Sequence, residues 1–286
     1  MIDQPLVSIG LPVYNGENFL EEALDSILSQ TYSNIELIIS DNASTDRTRE
    51  ICEAYAARDD RIRYLYNETN LGAAKNYNLL VDEARGPYFK WAAHDDIIAP
   101  TFIERCVEVL EQDPGLVLAY PLSVVIDEHG DIIKRFPPLK GLDSPSSHKR
   151  FAAHVCRRGV HQNTVFGVIR TEQLKKTRRI GAFSSSDRVL NGELALRGRF
   201  YEVPELLFFK RTHPDAHWKK HQRRRDREVW YDPNRAGVKT YPTWHLFKEH
   251  LRSIRLSPLN AYERLMCRLS MAWWVRYNWR RLVSFS

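Results

Sequence analysis

The sequence predicts an α/β fold: a mostly parallel central sheet with helices on both faces, followed by a helical extension. Three observations predict it. Apolar, strand-like runs alternate with helix-spaced apolar residues through the first half of the 286-residue chain, which is the pattern of successive right-handed βαβ units. Two of those runs end in carboxylates, at the position where open α/β sheets bind ligands. Near residue 235 the alternation gives way to a basic, aromatic, helix-like tail.

Each element carries its own signal. Residues 6–11 are a short run rich in β-branched side chains, a buried strand. Residues 19–30 place Leu20, Ala23, Leu24, Ile27 and Leu28 at helical spacing. Residues 35–40 are a second buried strand, and 45–57 a helix with Ser44 or Asp41 near its N-cap. Strand 62–66 precedes helix 72–84 and strand 88–93. A helix over 100–112 has Pro100 at its first turn, and 116–120 is a fifth strand. Residues 123–127 and 131–136 flank Glu128-His129-Gly130 as a hairpin. Residues 137–147 read as a loop containing Pro and Ser, long enough to be functional. A segment at 164–170, a helix over 186–197 and a strand over 200–211 complete a main domain of residues 1–235. Residues 236–286 form the tail.

Composition narrows the class. With 43% hydrophobic and 27% charged residues, the chain is an ordinary globular protein and not a disordered one. Its net charge of +6 is uneven: nine Lys/Arg face two Asp/Glu after residue 235, which leaves the first 235 residues at −1. Any partner drawn by charge is therefore expected at the tail. Cys52, Cys106, Cys156 and Cys267 are far apart and form no Cys-x-x-Cys, so free thiols are expected instead of zinc or disulfides. The N-terminus enters a strand at once, without the basic and apolar segments of a signal peptide. No apolar run reaches membrane-spanning length. The expected location is the cytoplasm, or the cytoplasmic face of a membrane.

The chemistry concentrates at two strand ends. Ile35-Glu36-Leu37-Ile38-Ile39-Ser40 runs into Asp41-Asn42-Ala43-Ser44-Thr45-Asp46, and Tyr88-Phe89-Lys90-Trp91-Ala92-Ala93 runs into His94-Asp95-Asp96. Adjacent carboxylates beside a buried strand are costly unless a cation offsets them. Oxygen ligands of this kind suit Mg²⁺ or Mn²⁺, which commonly share their shell with a substrate phosphate. That points to a nucleoside diphosphate. A dinucleotide fingerprint and a P-loop are both absent, since Gly10 is followed by Leu11-Pro12 and no G-x-x-x-x-G-K-[ST] occurs.

Pro12-Val13-Tyr14-Asn15, Ile38-Ile39-Ser40-Asp41-Asn42-Ala43-Ser44-Thr45-Asp46, Asn70-Leu71-Gly72 and His94-Asp95-Asp96, in this order and spacing, resemble glycosyltransferase family 2. The resemblance covers roughly residues 6–211. It implies a GT-A fold whose residues 1–121 form the nucleotide-binding half and 122–235 the acceptor half. It implies a metal-dependent, inverting transferase using Mn²⁺ or Mg²⁺ and a nucleoside-diphosphate sugar, a UDP-sugar first among them. The acceptor would be a saccharide or lipid-linked hydroxyl in polysaccharide or glycolipid assembly. A nucleotidyltransferase and a non-catalytic nucleotide-sugar-binding protein are the alternatives.

By that resemblance Pro12, Tyr14 and Glu17 line the nucleotide, Asp41 accepts a hydrogen bond from the base, and Lys75 lies near the nucleotide or its phosphates. Asp95 faces the ribose or sugar, and Asp96 ligates the metal. His94 stands where the commoner pattern has an acid, and reads as a packing residue. Asp187, at the start of the helix over 186–197, is the expected general base, with Glu193 the fallback and a helix-stabilising role the bland alternative. Phe208-Phe209-Lys210-Arg211-Thr212-His213-Pro214 resembles a segment in which a histidine reaches the metal. His213 is thus a candidate ligand, and Arg211 is expected to face the phosphates. His217 and His221 read as solvated. The Gln-x-x-Arg-Trp motif of processive synthases is absent.

In the tail, Trp273, Trp274, Tyr277 and Trp279 interleave with Arg264, Arg268, Arg276, Arg280 and Arg281. That spacing suits an interfacial helix on an anionic membrane. It equally suits a helix pair that packs its aromatics on the main domain and leaves its arginines in water. No nucleic-acid-binding module is visible, and no nucleic-acid partner is expected.

Overall fold

The computed structural model describes residues 4–156, 163–214, 216, 224–235 and 241–283. The first half alternates as expected: β1 (Val7–Val13), α1 (Leu20–Leu28), β2 (Ile35–Asp41), α2 (Thr48–Ala56), β3 (Ile62–Tyr66), α3 (Ala73–Glu83), β4 (Tyr88–Trp91), β5 (Ile97–Ile98) and α4 (Phe102–Gln112). The second half contains β6 (Leu116–Ile126), β7 (Ile132–Arg135), α5 (Ser147–Val155), a 3₁₀ turn (Asn163–Phe166), β8 (Val168–Arg170), α6 (Thr171–Lys175), α7 (Ser186–Arg197) and β9 (Arg199–Arg211). Three helices follow: α8 (Arg224–Tyr231), α9 (Pro242–Leu256) and α10 (Ala261–Val283).

Among the described residues the sheet runs β3-β2-β1-β4-β8-β6-β9-β5, with β7 beside β6. The β3, β2, β1 and β4 ladders are parallel, and so is the long β6–β9 ladder. The short strands β5, β7 and β8 are antiparallel to their neighbours. The chain winds outward from β1 to β3, then returns to place β4 on the other side of β1. That reversal opens a crevice at the carboxyl ends of β1 and β4, where sheets of this class bind ligands.

Alternate side chains of the buried strands serve opposite layers. Val7, Ile9, Leu11, Ile35, Leu37 and Ile39 pack with α1, α2 and α4, while Ile38, Phe89 and Trp91 pack with α3 and α7. All four cysteines are free.

The structure adds elements that the sequence does not announce. β5 is two residues long and exists through pairing with Phe208 and Phe209. α5 follows the Pro/Ser loop, and α6 is a single turn or so of helix. The expected strand at 116–120 and the first arm of the hairpin are one continuous strand, β6. Its ladder with β9 slips after Pro121↔Val203, resuming at Leu122↔Leu206. Pro121 and Pro204 lack the N–H that an unbroken ladder needs, so a bulge is the natural place for both.

The tail helices dock on the main domain. Leu246 and Ile254 of α9 and Cys267, Met271, Trp274 and Leu282 of α10 share a buried cluster with Phe151 and Val155 of α5 and Val189 and Leu196 of α7. Trp274 stacks on Phe247 at 6.0 Å between ring centroids. Trp273, Tyr277 and Trp279 remain exposed. The tail's aromatics are therefore divided between packing and solvent. No described helix is long and apolar enough to cross a membrane.

Candidate active site

The floor of the crevice is built from the loops after β1 and β2, which are laced together by side chains. Asn15 N–H donates to Ser44 Oγ (2.9 Å), Gly16 N–H to Thr48 Oγ1 (2.8 Å) and Glu17 N–H to Asp46 Oδ2 (3.2 Å). In return, Thr45 N–H donates to Asn15 Oδ1 (2.8 Å) and Arg47 N–H to Glu17 Oε2 (2.9 Å). The turn needs left-handed backbone at Asn15 (φ 51°) and Ala43 (φ 64°), of which the first is a residue that tolerates it. This leaves Pro12 buried at the strand end and the Tyr14 and Glu17 side chains exposed at the mouth.

Asp41 is fully buried at the end of β2. Its Oδ1 accepts from Ser44 N–H and its Oδ2 from the Tyr64 hydroxyl, both at 2.9 Å. Burial, then the carboxylate of Asp41, pushes the Tyr64 phenol far up, so it stays a donor. Next to it, Asn42 ties the β2 loop to the β3–α3 loop. Its Nδ2 donates to Asn70 Oδ1 (2.9 Å), and its Oδ1 accepts from Leu71 N–H (2.8 Å). Lys75 stands exposed in the first turn of α3. The turn before α3 uses Gly72 at φ 80°, and a Cβ there would lie 2.8 Å from Tyr231 O and 2.7 Å from Pro233 Cδ. The end of α8 therefore rests on this loop.

Asp95 and Asp96 follow β4. His94 packs against the β1 turn: a Cβ on Gly16 would sit 2.7 Å from its ring, in keeping with the packing role. His213 joins the pair, with Nε2 3.2 Å from Asp95 Oδ2 and its ring 4.7 Å from that of Phe19. Burial pushes Asp95 up, but the His213 hydrogen bond and the charges of His94, His213 and Lys210 outweigh it and hold the carboxyl low. Asp96 goes the other way. Burial and the neighbouring Asp95 charge push it up to about 7, although Lys210, the Arg211 N–H and Lys90 pull against them.

Arg211 is not turned toward a ligand. Its buried guanidinium lies 4.6 Å from the Phe19 ring centroid and pairs with Glu22 of α1. It also donates to the carbonyls of Asp95 (3.1 Å) and Glu128 (3.1 Å), while its backbone N–H donates to Asp96 Oδ1 (2.9 Å). Expected to face phosphates, it instead locks the end of β9 to the acidic loop. The residue facing the acids is Lys210, whose charge acts on Asp95, Asp96 and Asp187 alike. Sequence reading passed over Lys210 because one lysine in a strand looks like an ordinary solvent-facing position. Lys90 was also passed over, though a lysine inside Tyr88-Phe89-Lys90-Trp91 is a signal. It is fully buried beneath the acids, donating to Phe166 O (2.8 Å) and lying 4.5 Å from the Phe102 ring centroid. Burial lowers its pKa to about 7.

Asp187 sits in the first turn of α7, entered through Ser185 at φ 66°. Burial raises its pKa despite Arg188 and Lys210. The charges of Asp95, Asp96 and Asp187 all act on the buried Tyr77 hydroxyl, which burial first and then these acids push up. Tyr231 of α8 lies beside Asp187, and Glu228 of the same helix accepts from Ser184 N–H (3.2 Å). Glu193, the fallback base, is committed elsewhere. It is buried and held by Arg178 (Nε to Oε1 2.6 Å, N–H to Oε2 2.8 Å) and by Ser253 of α9. His217 and His221 lie outside the described residues.

The carboxylates of Asp95 and Asp96 and the imidazole of His213 are donor types that suit a divalent cation, Mn²⁺ more than Mg²⁺ where a nitrogen takes part. Among the described residues no three acidic, His or Cys side chains form a ready-made cage. Such a cation would complete its shell with phosphate oxygens and water.

Residues 8–157, more than half of the chain, match the family model for Glycosyl transferase family 2. The chain belongs to that family. An uncharacterized glycosyltransferase of Rickettsia prowazekii is 42% identical over 128 residues, 44% of this chain and 39% of that protein. Glycosyltransferase GlyG of Streptococcus pneumoniae is 40% identical over 114 residues, 40% of this chain and 38% of GlyG. The chain thus matches well under half the length of these family members. Among solved structures, Staphylococcus aureus TarS with UDP-GlcNAc superposes with a TM-score of 0.69 at 16% identity, over 96% of this chain and 72% of that one. A Pyrobaculum calidifontis mannosyltransferase with GDP-Man and Mn²⁺ superposes with a TM-score of 0.58 at 16% identity, over 98% of this chain and 76% of that one. These likenesses bear on the fold, which is the GT-A arrangement of sheet and flanking helices.

Proposed function

We propose that the protein is a metal-dependent, inverting, non-processive glycosyltransferase. It moves a sugar from a nucleoside diphosphate to a hydroxyl of a saccharide or lipid-linked acceptor, in polysaccharide or glycolipid assembly at a membrane surface. What supports this reading is the match of residues 8–157 to the family, together with the paired acids Asp95 and Asp96 after β4 at the sheet's switch point and Asp187 in the first turn of α7, whose charges act on Tyr77. The UDP-GlcNAc and GDP-Man bound to the two structural neighbours support a nucleotide-sugar donor, and a UDP-sugar is the first to test.

In this reading Tyr14, Glu17, Pro12 and Lys75 border the nucleotide, and Asp41 accepts from its base. Asp96, with Asp95 and His213 beside it, would hold the cation, which when bound neutralises the leaving diphosphate. Lys210 adds positive charge on the same side. Asp187 takes the proton of the acceptor hydroxyl as that oxygen bonds to the anomeric carbon. The carbon–oxygen bond to the diphosphate breaks on the opposite face, and its electron pair leaves with the phosphate oxygen. A carboxylate with a raised pKa is the better base near neutral pH.

The test is a thermal-shift screen of nucleotide-sugars with and without Mn²⁺, followed by donor-turnover assays. Binding to the native state raises the melting temperature. A UDP- or GDP-sugar shift that requires Mn²⁺, with EDTA-sensitive turnover, is expected. Full activity in excess EDTA would remove the metal from the mechanism.

A further inference from the structure

We infer that the solvent side of α10 is a docking face for an anionic lipid bilayer. The helix has two opposed faces. Cys267, Met271, Trp274 and Leu282 point inward and are buried. On the outer side Tyr262, Leu265, Leu269, Trp273 and Tyr277 recur at helical spacing and are between 42% and 61% exposed. Trp273 and Tyr277 stack at 4.6 Å between centroids, a flat aromatic surface with one side to solvent. Trp279 is exposed on the flank. A contiguous apolar stripe this long on the surface of a monomer marks an interaction site.

Charge selects the occupant. Arg268, Arg276 and Arg280 are exposed along the same helix, and no described exposed residue of α10 is acidic. The helix's one carboxylate, Glu263, is folded back as a cap: Asn260 N–H donates to Glu263 Oε2 (3.1 Å), and Glu263 N–H donates to Asn260 Oδ1 (2.8 Å). Arg264 is likewise committed to the body through the carbonyls of Ile254, Arg255 and Leu259. The outer face therefore offers hydrocarbon and free guanidinium groups together. An anionic leaflet supplies partners for both, with the helix lying in the interface plane. A second copy of the face would supply hydrocarbon but no carboxylates.

The placement has a functional corollary, which rests on the transferase reading. α10 packs on α5 and α9, and α9 packs on α7, whose first turn carries Asp187. Docking would hold the domain that carries the proposed base in a fixed orientation to the bilayer in which a lipid-linked hydroxyl is presented. The docking itself does not depend on that reading.

The experiment is co-sedimentation of the whole chain with vesicles of phosphatidylcholine alone or containing 30% phosphatidylglycerol. Each exposed basic residue near an anionic leaflet contributes roughly a 5-fold factor in partitioning, and the effect is screened by salt. Anionic vesicles should retain the protein at least about 10-fold better than neutral ones, less so at high salt. Arg276→Glu/Arg280→Glu should lower that binding by at least roughly 25-fold, the loss expected from removing the two positive charges alone. Leu269→Glu/Trp273→Glu should abolish it with at most a small change in melting temperature, because both side chains are about half exposed and neither belongs to the buried cluster. Equal recovery in the supernatant with both vesicle types would overturn the proposal. So would a dimer, seen by analytical ultracentrifugation, that Leu269→Glu/Trp273→Glu abolishes. Turnover of soluble donor by these variants reports separately on the transferase reading.

Discussion

Asp41 and Asp96 lie at the same edge of the sheet, on either side of β1, yet they live in opposite electrostatic conditions. Asp41 is met by a backbone N–H and a tyrosine hydroxyl from its own fold. Asp96 is met by one backbone N–H and crowded by Asp95, and its carboxyl is pushed up to about 7. Asp187 resembles Asp96, with burial raising its pKa as well. A carboxylate at a strand end is thus not enough to define a working group. What distinguishes the two kinds is whether the protein itself has already supplied hydrogen-bond donors to both carboxylate oxygens and kept other carboxylates away.

The largest effect should come from Asp187→Asn. Transfer should fall roughly 10³-fold, within the usual range for losing a general base, while donor binding by calorimetry stays within a few-fold. If turnover persists, the carboxyl serves the helix terminus only. Asp96→Ala should lower turnover by about 10²-fold and abolish the Mn²⁺ dependence of donor binding. Equal donor affinity with and without Mn²⁺ in the parent would break the contrast between Asp96 and Asp41.

A third measurement reads the contrast without any substrate. Asp96 titrates higher folded than unfolded, so its contribution to stability is complete below about pH 4 and is lost as pH rises through 7. Asp96→Asn should therefore be more stable than the parent at pH 8, by on the order of 1–2 kcal/mol in urea denaturation, with no advantage at pH 4. Asp41→Asn should show the smallest effect. About 1 kcal/mol of stability should be lost as one acceptor becomes a donor, together with a modest rise in donor Kd and near-normal turnover. A turnover defect equal to that of Asp96→Ala would erase the distinction.

What could be read from the sequence divides along the same sheet. The strands β1, β2 and β4 are parallel and buried, so each appears as a largely apolar run bounded by turn residues. Their order, and the acids at their ends, were visible without coordinates. The second half depends on pairing at a distance. Ile97–Ile98 is a strand only because β9 passes beside it, and the Arg211 guanidinium faces inward only because Phe19 and Glu22 wait there. Neither condition leaves a local mark. The roles of Lys210 and Tyr231 were equally hidden, since nothing in their own segments says that Asp187 will be nearby. The tail's composition showed a helix with two possible fates. Only the packing of Cys267, Met271 and Trp274 shows which of its aromatics are buried and which stay exposed.

The lacing of the first two loops has a kinetic consequence. The amides of Asn15, Gly16, Glu17, Thr45 and Arg47 are each held by a side chain from the opposite loop. Each of these bonds holds only while the opposite loop stays in register. In hydrogen–deuterium exchange they should open as one cooperative unit with a shared rate, slower than exposed turns normally allow. A nucleotide arriving at this edge would find a surface already in place, and little of its binding energy would go into ordering the chain.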